Sequence, residues 1–238
     1  MVRVLAASIA LLSLMATSAQ AQDSVVEEIV VTGMRMIDWD PDEVPVIQLS
    51  RRADFVVVNV RVINDTRDGP TRRREIEQTL TSMARGAERS VDIDLSIEDE
   101  GVLLPLTQDM VSTLTLGVDG SRTDTSVATL VIKTPIRPQD TLDSATRRIE
   151  AFIENADLSG RSLVSVSGEW ELSIVNPPQY RGAILGMIAE DARSTSAVFG
   201  PEYAVVVEGL SNRVTWRQSG PLQLNLFIPY DMSVTPRP

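Results

Sequence analysis

The spacing of hydrophobic residues changes several times along this chain, and each change marks a predicted element. Phe55 to Ile63 is dense in valine and is followed by Asn64-Asp65-Thr66-Arg67-Asp68-Gly69-Pro70, a cluster of turn formers. This predicts a strand and then a loop. From Thr71 to Ala87, the apolar residues Ile76, Leu80, Met83, Ala84 and Ala87 recur every three or four positions and share one helical face. Val91, Ile93, Leu95 and Ile97 alternate with Asp92, Asp94 and Ser96, the period of a strand with one wet face. Residues 111–117 and 126–134 predict two more strands, joined as a hairpin through a segment that begins Val118-Asp119-Gly120-Ser121. Asp140 or Thr141 caps a second helix, which carries Leu142, Ala145, Ile149, Phe152 and Ile153 on one side and stops near Asn155.

Residues 163–175 again read as a strand, with Val164, Val166, Trp170, Leu172 and Ile174 interleaved with small or acidic residues and Asn176-Pro177-Pro178 as the break. A third helix over 179–199 follows from the stripe Tyr180, Ile184, Met187, Ile188, Ala192 and Phe199, with Gly200-Pro201 as its stop. The segments 203–209 and 213–218, and the alternation of Leu222, Leu224, Leu226, Ile228 and Tyr230, predict three closing strands in a meander. The expected class is α+β: largely antiparallel β-sheets with about three helices packed on one side. Strand-helix-strand order occurs around 55–97 and again around 163–209. That order would fit an internal duplication, although no residue-level repeat supports it.

The N-terminus has a different logic. One charge at Arg3 precedes an apolar run from Val4 to Met15, and Ser18-Ala19-Gln20-Ala21 offers the small-x-small pattern of a cleavage site. About a dozen apolar residues fall short of the roughly 20 needed to span a bilayer, so 1–21 is read as a cleaved signal peptide. No later stretch is apolar for long enough to span a membrane as a helix. Residues 22–52 read as an extended acidic segment, and 53–238 as the folded domain. The expected location is periplasmic, with secretion as the variant.

Composition narrows the chemistry. Twenty-two Lys and Arg face 33 Asp and Glu, a formal charge of −11, and loss of Arg3 with the leader makes the chain one unit more acidic. Such a balance argues against nucleic acid, which needs a basic face to displace counterions. Cysteine and histidine are both absent. Disulfides, thiolate metal sites, histidine triads and the common zinc hydrolase sites are therefore excluded. Lys133 is the only lysine, and no Ser-x-x-Lys pattern leads to it.

Three acidic or basic groupings invite a chemical reading. Asp38, Asp40 and Asp42 have the spacing of a calcium loop, but Glu43 stands where glycine is required and Leu49 where a bidentate glutamate is required. Glu169 and Glu171 flank Trp170 on one strand, whereas a glycosidase pair approaches its sugar from opposite sides. They read as the wet-face neighbours of buried Trp170 and Leu172. Arg72-Arg73-Arg74 opens a helix against its macrodipole, and the expected compensation is pairing with Asp68, Glu75 and Glu77. No catalytic residue, metal or cofactor is assigned.

Two resemblances add to this picture. Glu27-Glu28-Ile29-Val30-Val31-Thr32-Gly33 resembles the segment that opens many TonB-dependent receptors and pairs with TonB by strand addition. The chain is too short for a plug and a 22-stranded barrel. Glu28, Ile29, Val30, Val31, Thr32 and Gly33 are thus a candidate docking strand or, alternatively, the first strand of the domain. Ile29-Val30-Val31-Thr32-Gly33, the strand after Ala53-Asp54, the helix 71–87 and the run from Tyr180-Arg181 to Ala189-Glu190-Asp191-Ala192-Arg193 resemble a SIMPL-domain protein. About twenty extra residues between Gly33 and Ala53, and the missing glycine-rich continuation, depart from that pattern. The resemblance implies an exported, non-catalytic α+β protein that acts through protein–protein contacts and self-association. The alternative is an accessory binding module of a TonB-linked uptake system that docks through 28–33.

Overall fold

The computed structural model describes residues 44–99 and 102–237. In chain order the first elements are β1 (Leu49–Arg52), β2 (Phe55–Asn64), α1 (Gly69–Glu88), β3 (Asp94–Asp99) and β4 (Val102–Pro105). After a 3-10 turn at Gln108–Thr113 come β5 (Gly117–Asp119), β6 (Arg122–Pro135), α2 (Leu142–Glu154), β7 (Ser162–Val166) and β8 (Glu171–Ser173). A second 3-10 turn, Pro177–Tyr180, leads into α3 (Arg181–Phe199) and the strands β9 (Tyr203–Glu208), β10 (Thr215–Gly220), β11 (Gln223–Phe227) and β12 (Asp231–Pro236). The class is α+β with antiparallel sheets, as the hydrophobic pattern predicts.

The main sheet is organised by β2 and β6, which pair over their full contact from Phe55↔Pro135 to Asn64↔Ser126. On the far side of β6 lie β3 and then β4, with β5 pairing the start of β6. On the far side of β2, β7 and β8 share one edge, opposite residues 60–64 and 55–57. Period-two alternation places Val58, Val60 and Val62 of β2 with Leu130 and Ile132 of β6 on one face. Ile76, Leu80, Met83 and Ala84 of α1 and Ile149 of α2 complete this first core cluster.

A second cluster gathers Ala53, Val56, Ala145 and Leu172 with Ile184 and Ile188 of α3 and Val214, Trp216, Leu224, Leu226 and Ile228. Its floor is the three-stranded sheet β1-β11-β10, in which Leu49↔Leu226 and Trp216↔Leu226 share a row. β1 belongs to this sheet, and Gln48 Oε1 accepts hydrogen bonds from Asn225 Nδ2 at 2.8 Å and Arg217 Nη2 at 3.3 Å. The ordered domain therefore reaches back before Ala53, and the expected 22–52 linker is shorter at that end.

Other expectations need correction. The predicted strand 111–117 is a 3-10 turn that inserts Val111 into the first cluster, and only Gly117 onward pairs as a strand. Val91 is 93% exposed and precedes the strand, because the Asp92 N–H bonds Ser90 Oγ and turns the chain there. The predicted strand 163–175 is split at Gly168, where the chain arches against Asn59 before rejoining β2. The closing strands do not form a meander: β10 and β11 are a hairpin, whereas β9 pairs with β12. Gly209, at φ +81° and with Pro229 O 2.9 Å from where a Cβ would stand, turns the chain away from β9. The two strand-helix-strand units differ in arrangement. β2 and β3 lie in one sheet, but β8 and β9 lie in different ones.

Candidate interaction surface

α3 is anchored near one end and only partly covered beyond it, with Leu185, Asp191, Ala192, Thr195 and Ser196 half-buried and its outward face exposed. Asn176 adopts a left-handed conformation at φ 47°, the 3-10 turn follows, and the Arg181 guanidinium donates to the Leu210 carbonyl and to the Asn212 carbonyl at 2.6 Å. Arg51 stacks over the Tyr180 ring, 5.6 Å from its centroid. These contacts fix the helix N-terminus on the β10–β11 side of the molecule. Ile184 and Ile188, the only buried residues of the nineteen, then anchor it to the second cluster. From Ala189 to Phe199 nothing is fully buried. Gly200, at φ +83°, ends the helix.

On a helical wheel, Gly182, Gly186, Ala189, Glu190, Arg193 and Ala197 lie opposite Ile184 and Ile188, and all six are exposed. Among the described residues nothing stands within 4 Å of where a Cβ on Gly182 or Gly186 would be. Gly186 costs the exposed helix interior about 1 kcal/mol relative to alanine, whereas Gly182 stands in the first turn. The internal packing of the molecule gives no return for that cost. The far end of the helix carries Val198, 82% exposed, and Phe199, 51% exposed, whose ring lies 6.1 Å from that of Tyr203.

Beneath this end runs the β9–β12 ribbon, in register from Asp231↔Glu208 to Pro236↔Tyr203. A two-stranded ribbon is marginal by itself. Among the described residues neither outer edge has a strand partner. β9 contributes Tyr203-Ala204-Val205-Val206-Val207, with no Pro or Lys of the kind that usually blunts an open edge. Val206 and Tyr203 are about two-fifths exposed. An apolar helix end and a strand edge whose one charge is Glu208, at its end, therefore lie side by side.

Several charged groups elsewhere are engaged in holding the fold. The Glu75 carboxylate accepts from Thr66 Oγ1 at 2.5 Å, Asn64 Nδ2 at 3.0 Å and the Arg161 N–H at 3.3 Å. These bonds, Thr66 first, hold its pKa below the ordinary glutamate value. Asp140 accepts from Arg148 through both oxygens, at 2.9 and 2.7 Å, and from the Arg137 N–H and Ser144 Oγ. The Arg148 guanidinium is the main cause of its strongly lowered pKa. A groove of about 510 Å³ between α1 and α2 is lined by Arg85, Arg89, Arg148, Asp92, Asp157 and Phe152 among others. Two of its charges are already matched, Arg148 to Asp140 and Asp92 to Arg137 at 2.6 Å. No group of three or more carboxylates able to hold a metal occurs among the described residues.

The residues singled out in the sequence fare differently. Glu28 to Gly33 and the Asp38, Asp40, Asp42 set lie outside the described residues. Glu171 lies in β8 opposite Val57, while Glu169 precedes the strand and is exposed. Of the three arginines, Arg73 pairs with Glu77 at 2.7 Å, as expected. Arg72 instead donates to Ser126 Oγ and the Thr66 carbonyl, and Arg74 to Thr71 Oγ1. Asp68 is occupied as the N-cap, accepting from the Thr71 N–H at 2.9 Å. The sequence did carry a signal for the α3 face: two glycines inside a strongly delimited helix, at positions off the apolar stripe.

No helix among the described residues is long and apolar enough to cross a membrane. Comparison of the chain with protein-family models, with curated proteins and with solved structures finds no match.

Proposed function

We propose that this chain is an exported, periplasmic, non-catalytic protein that works through protein–protein contacts and associates with itself, in the manner of the SIMPL proteins it resembles. The observation that carries the reading is α3: nineteen residues long, with two buried, and ending in exposed Val198 and Phe199 beside the open β9 edge. Soluble domains rarely leave such a helix and edge without a partner. The paired state of Glu75 and Asp140 supports the non-catalytic part, since each is committed to hydrogen bonds that fix a loop or a helix start. The leader at 1–21 supports export.

Light scattering on the purified protein tests the central claim. The expected result is a mass that is a multiple of the chain mass and falls on dilution. A monomer at every concentration would overturn it. N-terminal sequencing of protein recovered from the envelope should begin at Gln22.

A further inference from the structure

The outer edge of β12 lies beside the point where the chain enters the described domain. β11 has β1 on one side and β10 on the other, and β10 follows β9 as β12 follows β11. Asn212 Nδ2 donates to the Pro229 carbonyl at 2.8 Å and keeps the two arms of this long ribbon adjacent between the sheets. β1 is therefore on the side that continues as the outer edge of β12. Its register, Leu49↔Leu226, continued backward from Gln48, follows residues 227 to 231 to the start of β12. The Tyr230 hydroxyl meets the Ile47 backbone on that line.

The main-chain groups at this edge are free to pair. The Arg237 N–H bonds the Glu202 carbonyl, so alternation turns the groups of Asp231, Ser233 and Thr235 toward β9 and those of Met232 and Val234 outward. On the β9 edge, the Tyr203 N–H already bonds the Gly200 carbonyl, and the Tyr203 carbonyl accepts from Arg237 Nε. Upstream, Glu28 to Gly33 is a β-prone run of six residues, the length of β12. Residues 34–43 separate it from Val44, long enough to loop back so that Gly33 and Val44 stand at the same end of β12. We infer that residues 28–33 of this chain add to the β12 edge as an antiparallel third strand, with Ile29 opposite Val234 and Val31 opposite Met232.

Pattern and charge set this register. Met232 and Val234 are half-buried, across from Val207 and Val205, and Ile29 and Val31 extend that apolar face. Glu28, Val30 and Thr32 then share the exposed face of Thr235, Ser233 and Asp231. A slip of one residue would turn Glu28 and Thr32 onto the apolar face. Glu27 comes beside Arg237, whose guanidinium has no carboxylate partner among the described residues. A third strand also supports a ribbon that is marginal as a pair. The contact is autoinhibitory toward strand addition: while it is made, 28–33 cannot pair with another protein. It is independent of self-association, for which the α3 end and the β9 edge stay open.

The absence of cysteine makes the test direct. Val30→Cys and Ser233→Cys would be a pair without mutual hydrogen bonds, about 4.5 Å apart at Cα, inside the range a disulfide spans. The double variant is expected to form a disulfide within one chain under mild oxidation, read by peptide mapping and by monomer mobility on a non-reducing gel. Val31→Cys with Ser233→Cys, on opposite faces, and Val30→Cys with Val206→Cys, two strands apart, are expected to stay reduced. Hydrogen exchange gives a second readout. The Met232 and Val234 amides should exchange at least about tenfold faster after deletion of 22–35, with the far-UV circular dichroism of the domain retained. A Val30→Cys, Ser233→Cys chain that stays reduced, control pairs that link equally well, or a link that joins two chains would each overturn the inference. So would Met232 and Val234 amides that exchange at the same rate with and without 22–35.

Discussion

Gly160 sits where the loop after α2 passes the Glu75 carboxylate, and two constraints meet there. Its φ is +57°, and a Cβ would stand 2.0 Å from Glu75 Cδ. Gly120 has the same φ with nothing among the described residues within 4 Å, so it isolates the backbone part. Gly120→Ala should cost about 1 kcal/mol. Gly160→Ala should cost clearly more, because Glu75 must also leave Asn64 and Thr66, and paired thermal melts of the two variants measure the difference. Asp140 makes a second residue-scale prediction. Asp140→Asn loses the two-pronged contact with Arg148 and should destabilise by about 2 kcal/mol in urea titrations at pH 7. Because folding lowers the Asp140 pKa, its contribution is complete above the ordinary aspartate value and fades as pH falls below about 4. The gap between wild type and Asp140→Asn should therefore close in acid. A gap that widens in acid would refute the assignment. Neither network was legible in the sequence, since Glu75 looked like a partner for neighbouring arginines. Asn64 and Thr66 reach it only after the chain has turned through Asp65 to Gly69.

Among the elements, helix limits were the most legible because they are written in local chemistry. Thr141 caps α2 through a reciprocal pair, its Oγ1 accepting from the Ser144 N–H at 3.1 Å and its own N–H donating to Ser144 Oγ at 3.0 Å. Thr141→Ala should cost about 1 kcal/mol in chemical denaturation. A cost near zero would mean that Asp140, the other residue named as a cap, does that work. Strand pairing was far less legible, since it depends on partners distant in sequence. Nothing near Tyr203 says that its partner is Pro236 rather than a segment in the next hairpin. The face of α3 was half legible. Ile184 and Ile188 are buried as the stripe requires, but Met187 and Phe199, counted in the same stripe, are 37% and 51% exposed. The periodicity was that of a helix whose apolar surface exceeds what its own domain covers.

At the scale of the whole molecule, the two core clusters share structural members, and this predicts how the domain unfolds. β2 places Val56 in one cluster and Val58, Val60 and Val62 in the other. α2 does the same with Ala145 and Ile149, and Trp170 packs against both. Neither cluster can lose its packing without loosening a strand and a helix that the other needs, so the domain should melt as one unit. Leu80, fully buried in the first cluster, is a probe of this coupling. Leu80→Ala removes buried volume and should cost about 3 kcal/mol. Trp216, 5% exposed, reports on the second cluster. In a Trp39→Phe, Trp170→Phe background, where Trp216 is the sole tryptophan, fluorescence and far-UV circular dichroism should therefore shift together on adding Leu80→Ala, with coincident transitions. If the fluorescence transition kept the midpoint of that background while the dichroism transition fell, the clusters would be independent folding units. The shared members β2 and α2 would then be weaker links than their burial implies.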